Sequence, residues 1–566
     1  MCGIFCGVNC RIENCEGLQN YLKRRGPDFN SSVDVTVDKV SLQFACSILW
    51  QQGTFLCSQP FHGQNYIMLL NGDIFNIPDK VRTISDTEWF GKMLSDCTDL
   101  TNVCQLLQSL EGPFSLIFFN KTTHDLYICR DSLGRTSLIV EKEKENIRFM
   151  SISGNSKGSN KIAMELPPLG LFKINIFCPF AWQLYPWNQI CGTISNEIES
   201  LTNVLGLSVS FGEHMKPNWM RTDLKSQELF NFYEICKMDM SCSGLFESLL
   251  RNSNLMSALN EFSNLIERSV KDRVLYTPPR CKNCLHGNND CSHTKIAVLF
   301  SGGIDCSILA AISNKYIPAR DPIDLINVAF QKVGVFGETS WDVPDRISAK
   351  TSLVELQKLC PQRRWNYVEV NVSREELRSY LQNHIKHLIY PLNTILDESL
   401  GSAFWFASRG KGKCLGREYT SPARVVIVGS GADELFGGYM RHRNAFRRYE
   451  GNETEKIANL QKELTKDWSR ISTRNLSRDD RVVADNGKTL RAPFIEENLV
   501  HFVRSFSPSQ LCCFLLRAGI GDKLFLRLYG YHIGLKEVAI LPKRAIQFGS
   551  KIANKKQNAA DRSLYL

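Results

Sequence analysis

From residue 295 onward, runs rich in β-branched residues recur at 296–300, Ile323–Phe330, 367–372 and 424–428, with stretches of helical character between them. Short, continuous apolar runs of this kind suit strands buried on both faces. Their alternation with helices predicts a parallel sheet covered on both sides, a doubly wound α/β domain. Ser373 with Glu376 makes a capping box that opens a helix directly after one of the runs. Ligands of such sheets bind beyond the carboxyl ends of the strands.

Two glycine-rich loops fall there. Ser301-Gly302-Gly303-Ile304-Asp305-Cys306-Ser307 follows the first run and leads into an apolar helical stretch starting at Ile308. Gly302 and Gly303 let the backbone approach an anion, while Ser301, Ser307 and the amides of the helix start offer donors to phosphate. The pattern is neither a Walker loop nor a dinucleotide fingerprint. Asp305 beside phosphates calls for a divalent cation, so it reads as a Mg²⁺ ligand. A bare Ser-Gly-Gly is more often a plain turn, but the loop at 429–439 follows another buried run and carries Asp433 to the same edge. Asp305 and Asp433 are expected to share the metal, with Val328 and Gly429 completing the nucleotide-binding set.

A chain of 566 residues is too long for one core. Up to about residue 185, short pieces alternate apolar and polar residues, as in a strand-rich domain. The expected division is a first domain at 2–185, a linker at 186–294 and the sheet domain at 295–566. The net charge of +10 is spread without dense basic runs, which argues against nucleic-acid binding. No apolar run is long enough to cross a bilayer, and Met1-Cys2-Gly3-Ile4 lacks the basic region of a secretion signal. Twenty-one cysteines without framework spacing read as reduced thiols, so a cytoplasmic location is expected.

The two loops resemble the synthetase domain of glutamine-hydrolysing asparagine synthetases, which has the ATP-pyrophosphatase fold. The likeness extends through Pro344-Asp345, through Arg491-Ala492-Pro493-Phe494 and residues 523–527, to Leu541-Pro542-Lys543. The resemblance implies that ATP adenylates the side-chain carboxylate of aspartate, that Mg²⁺ on Asp305 and Asp433 binds the departing pyrophosphate, and that ammonia displaces AMP. Lys543 then stabilises phosphate charge.

Toward the amino terminus, Met1-Cys2-Gly3-Ile4, Arg25-Gly26-Pro27-Asp28, Asn71-Gly72-Asp73, Ser85-Asp86-Thr87-Glu88 and Arg130-Asp131-Ser132-Leu133-Gly134 are similar in order and spacing to class II glutamine amidotransferases. That resemblance implies the N-terminal-nucleophile αββα sandwich. Removal of Met1 would place an α-amine beside the Cys2 thiol, a base for its own nucleophile. By the same likeness Cys2 attacks the glutamine amide, Asn71 and the Gly72 amide receive the oxyanion, and Asp73 and Asp86 bind the substrate, Asp86 through its ammonium. Glutamine, aspartate and ATP are the implied small-molecule partners; the sequence names no protein partner.

Three departures stand out. The segment 44–49 lacks the arginine that binds the glutamine carboxylate in the family, and 396–399 lacks one expected near the reacting phosphates. Ser430 stands where the family has the glutamate linked to aspartyl-adenylate formation, and a hydroxyl supplies neither its charge nor its basicity. Two alternatives therefore stay open: a nucleotide-binding scaffold without catalysis, and amidation of a different carboxylate. Separately, Cys281, Cys284, Cys291 and His293 fall within one short stretch. Cys-x2-Cys can chelate zinc, but the remaining spacing matches no familiar zinc motif, so the sequence favours an ordinary polar loop.

Overall fold

The computed structural model describes all residues except Met1, 155–160, 222–229, 237–239, 279, 286–290, 334–337, Lys543, 554–559 and 565. The amino-terminal half is built on period-two alternation. Ile4, Cys6 and Val8 of the strand Gly3–Val8 point into a core shared with Phe44, Cys46, Ile67, Leu69, Ile117 and Phe119. Phe5, from the same strand, faces the other way and packs with Leu18 and Leu22 of the helix Leu18–Arg25. On the far side Met68, Leu70 and Phe118 meet Phe90, Leu94, Val103 and Leu107 from the helices Asp86–Ser95 and Leu100–Ser109. Helix, sheet, sheet and helix thus stack as an αββα sandwich. One sheet has six strands and the other seven.

In the carboxyl-terminal half, five parallel strands lie in the order Trp365–Val372, Ile323–Phe330, Ile296–Leu299, Val425–Ile427 and Thr489–Arg491. Such an order winds outward in both directions from the first strand. Helices Ile304–Tyr316 and Pro344–Leu359 pack together, as do Ile395–Arg409 and Ser477–Ala484, so both faces are covered. Ile323–Phe330 is buried along its whole length, which explains why it is mostly apolar. Its two polar residues are satisfied inside, Asp324 by Thr294 and Asn366, and Asn327 by Phe300 O and Arg346. Two short antiparallel strands, Lys411–Cys414 and Arg417–Thr420, extend one edge. They are charged and partly exposed, as an edge hairpin is expected to be.

The segment expected as a linker is divided between the halves. Ser208–Phe211 joins the first domain's sheet, parallel to Ala181–Pro186. The 23-residue helix Ser253–Leu275 packs on Ile304–Tyr316 and Glu497–Arg504 of the second domain. Among the described residues no helix is long and apolar enough to cross a membrane.

Between the halves runs a seam of buried ion pairs: Arg25 with Asp480 at 3.1 Å, Arg424 with Asp28 at 2.6 Å, Arg491 with Asp73 at 2.9 Å and Arg135 with Glu497 at 2.5 Å. Several of these residues belong to the motifs noted above. Their charges are committed to joining the domains.

Candidate active sites

Cys2 is buried at the entrance to the first strand. The thiol of Cys46 donating toward it brings its own thiol down to about 7, against the upward push of burial. Gln59 ties the neighbourhood together. Its amide nitrogen lies 3.9 Å from Cys2 Sγ, donates to Leu70 O at 3.1 Å and reaches Thr87 Oγ1 at 3.4 Å. The strand Tyr66–Gly72 and the helix Asp86–Ser95 are thereby held beside the thiol. Asn71 is fully buried, and neither its Nδ2 nor its Oδ1 has a hydrogen-bond partner among the described residues. A buried amide left open in this way costs stability unless something occupies it, which suits a developing oxyanion. Gly72 follows, so close to Pro113 O that a Cβ there would meet it at 2.1 Å.

Asp86 starts its helix, and Ser85 caps that helix by accepting from Glu88 N at 3.1 Å. Burial, with a smaller contribution from the charge of Asp73, raises the Asp86 carboxyl to about 7. Asp73 is differently placed. Both its oxygens receive Arg491, and Oδ1 also accepts from Gln52 at 3.0 Å, so this carboxylate belongs to the seam. Arg25 donates to Cys2 O at 3.3 Å and to Asp480, and its Nη1 is buried with no hydrogen-bond partner among the described residues.

The second site lies beyond the carboxyl ends of the parallel strands, where the doubly wound order predicts it. Ser301, Asp305, Val328, Gly429, Ser430 and Asp433 all line one cavity. An adjoining smaller cavity is walled by Ser301, Gly302, Gly303, Asp305, Lys523 and Arg544. Gly302 has φ +78°, and a Cβ on it would lie 2.3 Å from Ala349 N. Gly429 lets the two loops touch, since its Cβ would stand 2.9 Å from Asp305 Cβ. The helix that begins here, Ile304–Tyr316, has no side-chain cap, which leaves its first amides for an anion. Ser307 is fully buried, and its Oγ has no hydrogen-bond partner among the described residues.

Lys523 was missed as a site residue by the sequence reading. Its ammonium lies 2.6 Å from Asp305 and 2.6 Å from Asp433, so the two acids converge on one cation. The one signal for it is that Lys523 opens the stretch 523–527, which shares the likeness of the two loops. Arg544, also missed, lines both cavities and donates to Ser348 at 3.2 Å. Lys543, its neighbour, lies outside the described residues. Arg478 reaches the larger cavity as well, but is paired with Asp397 at 3.1 Å and Asp479 at 2.8 Å. An anion in the smaller cavity thus meets two glycines, an uncapped helix and the basic side chains Lys523, Arg527 and Arg544, beside the carboxylates Asp305 and Asp345.

A family model described as a glutamine amidotransferase domain matches residues 1–171, and one described as asparagine synthase matches residues 291–527. An asparagine synthetase domain-containing protein of Drosophila melanogaster is 44% identical over the whole of both chains. The chain belongs to the asparagine synthetase domain-containing family. Its relative asparagine synthetase domain-containing protein 1 of Homo sapiens is 33% identical, with 98% of this chain and 95% of the relative covered. A probable glutamine-hydrolysing asparagine synthetase of Dictyostelium discoideum is more distant, 22% identical over 91% of this chain and 77% of that protein. The matches give the chain a glutamine amidotransferase domain followed by an asparagine synthase domain.

Proposed function

We propose that this family member hydrolyses glutamine at Cys2 and uses the ammonia to amidate an ATP-activated carboxylate, with aspartate as the acceptor and asparagine as the product. The observation that carries the reading is a small cavity walled by the first glycine loop, Asp305 and Lys523, with Asp433 of the second loop paired to the same Lys523 ammonium. In the first half-reaction the Cys2 thiolate attacks the amide carbon, Asn71 Nδ2 and the Gly72 amide stabilise the oxyanion, and ionised Asp86 holds the substrate ammonium. In the second, the amides opening Ile304–Tyr316, with Ser301 and Lys523, hold the phosphates while the carboxylate attacks the α-phosphorus.

Two carboxylates aimed at one point, with Asp305 Oδ1 buried and unpartnered among the described residues, also fit a divalent cation. Mg²⁺ bound there supplies charge neutralisation on the leaving pyrophosphate. Lys523 then turns from the carboxylates to the phosphates.

The test supplies amide-¹⁵N glutamine, aspartate, ATP and Mg²⁺ to purified protein and follows labelled asparagine and AMP. Product that disappears with Cys2→Ala but returns with added ammonia supports the proposal. Absence of product from either nitrogen source sinks it. A second reading is favoured by Ser430 on the cavity wall, where a family glutamate is missing: the acceptor is a different carboxylate. AMP formation with another acid and not with aspartate would select it.

A further inference from the structure

The four residues that the sequence leaves as a polar loop are drawn together in three dimensions. The Sγ atoms of Cys281, Cys284 and Cys291 and one ring nitrogen of His293 all lie within 4.8 Å of one another. His293 Nδ1 stands 3.7 Å from Cys281 Sγ and 3.3 Å from Cys284 Sγ. A tetrahedral zinc ion with its usual bond lengths separates a sulfur from a nitrogen ligand by about 3.5 Å and two sulfurs by about 3.8 Å. The observed spacings straddle the first figure. We propose that Cys281, Cys284, Cys291 and His293 form a closed structural zinc site, independent of both active sites.

The local fold is built for such a site. Cys281 precedes the 3₁₀ turn Lys282–Cys284, which sets its first pair of thiols side by side. Cys281 is fully buried, Cys284 and Cys291 half-buried and His293 exposed, so the ion would be sealed from the inside and reached from solvent. The backbone amide of Cys281 donates to Cys291 Sγ at 3.2 Å, the kind of outer-shell contact that stabilises a thiolate ligand. All three cysteines are free thiols, so no disulfide accounts for the clustering. Zinc uptake is balanced by release of three thiol protons, with His293 binding as the neutral imidazole through Nδ1. Three sulfurs and one nitrogen in a tetrahedron select zinc over harder cations.

The position indicates the purpose. The stretch joins the helix Ser253–Leu275 to the central strand Ile296–Leu299, at the amino ends of the strands and opposite the glycine loops. The Lys282 amide donates to Pro422 O at 2.9 Å, and its ammonium reaches Asn486 O at 3.1 Å. Gly487, the next residue, lies against Pro27 and the Arg24 carbonyl of the amidotransferase half. A zinc ion here pins the start of the sheet against the seam.

Full-length protein purified under reducing conditions without chelator should contain about one zinc per chain, as a closed four-ligand site requires. Replacement by Co²⁺ should give the visible bands and thiolate charge-transfer absorption of a tetrahedral sulfur-rich site. Zinc should also protect Cys281, Cys284 and Cys291 from alkylation, mapped by mass spectrometry on the unaltered chain. Cys284→Ser and His293→Ala should each lower zinc content several-fold. The inference is overturned if the unaltered protein binds no zinc and gives no cobalt spectrum, or if zinc is bound while these three cysteines alkylate freely.

Discussion

At the scale of single residues, the amidotransferase site rests on Asn71 and Asp86. Asn71 is buried, and its amide has no partner among the described residues, so in the proposed reaction truncating it removes the donor offered to the oxyanion. Asn71→Ala should lower kcat for glutamine hydrolysis roughly 10²–10³-fold, with KM changed much less, in steady-state assays. Asp86 makes a pH prediction. Because burial raises its carboxyl to about 7, the charged form that pairs with a substrate ammonium fills only as pH rises through that value. Glutamine should therefore bind Cys2→Ala protein more tightly at pH 8 than at pH 6 by calorimetry, and Asp86→Asn should abolish the difference. The stability sign runs the other way. A carboxyl raised in the folded state contributes fully below its unfolded value and loses that contribution as pH rises through about 7, so Asp86→Asn should raise Tm at pH 8. Cys2, Asn71 and Asp86 were singled out through family resemblance because each sits in a short local motif. Gln59 was not, since it lies in a run without pattern and acts only by touching Cys2, Leu70 and Thr87 together.

At the scale of elements, the strand-loop-helix unit 296–316 holds the phosphate cavity. The loop depends on Gly302, whose positive φ and contact with Ala349 N exclude a side chain. Gly302→Ala should cost about 1–3 kcal/mol of stability from backbone strain alone, measured by denaturation. It should also weaken nucleotide binding by more than that loss of stability accounts for, because the loop must shift. The parallel strands were legible from their apolar runs. The hairpin formed by Lys411–Cys414 and Arg417–Thr420 was not: short, charged strands carry little periodic signal, and their edge position decides their pairing.

For the whole molecule, the seam assigns several motif residues a task that no motif reveals. Asp73 and Arg491 are both fully buried and ion-paired across the domains. Asp73→Ala leaves a buried guanidinium without its carboxylate, and should cost about 3–5 kcal/mol. Differential scanning calorimetry should record this as a lower transition temperature and separation of one transition into two. A change confined to the KM for glutamine, with unfolding unaltered, would instead place Asp73 wholly in substrate binding.

The sequence alone determined a strand-rich first domain, the doubly wound sheet and the two glycine loops, because periodicity and loop chemistry are local properties written in neighbouring residues; the αββα sandwich followed from the resemblance of its motifs to a known family. It also placed Asp305 and Asp433 at one sheet edge, since strands alternating with helices run parallel and present their carboxyl ends on the same side. Tertiary structure alone brought Lys523 between those acids, committed Asp73 and Arg25 to the seam, and gathered Cys281, Cys284, Cys291 and His293. Each of these depends on distances between side chains that folding sets and sequence spacing does not record.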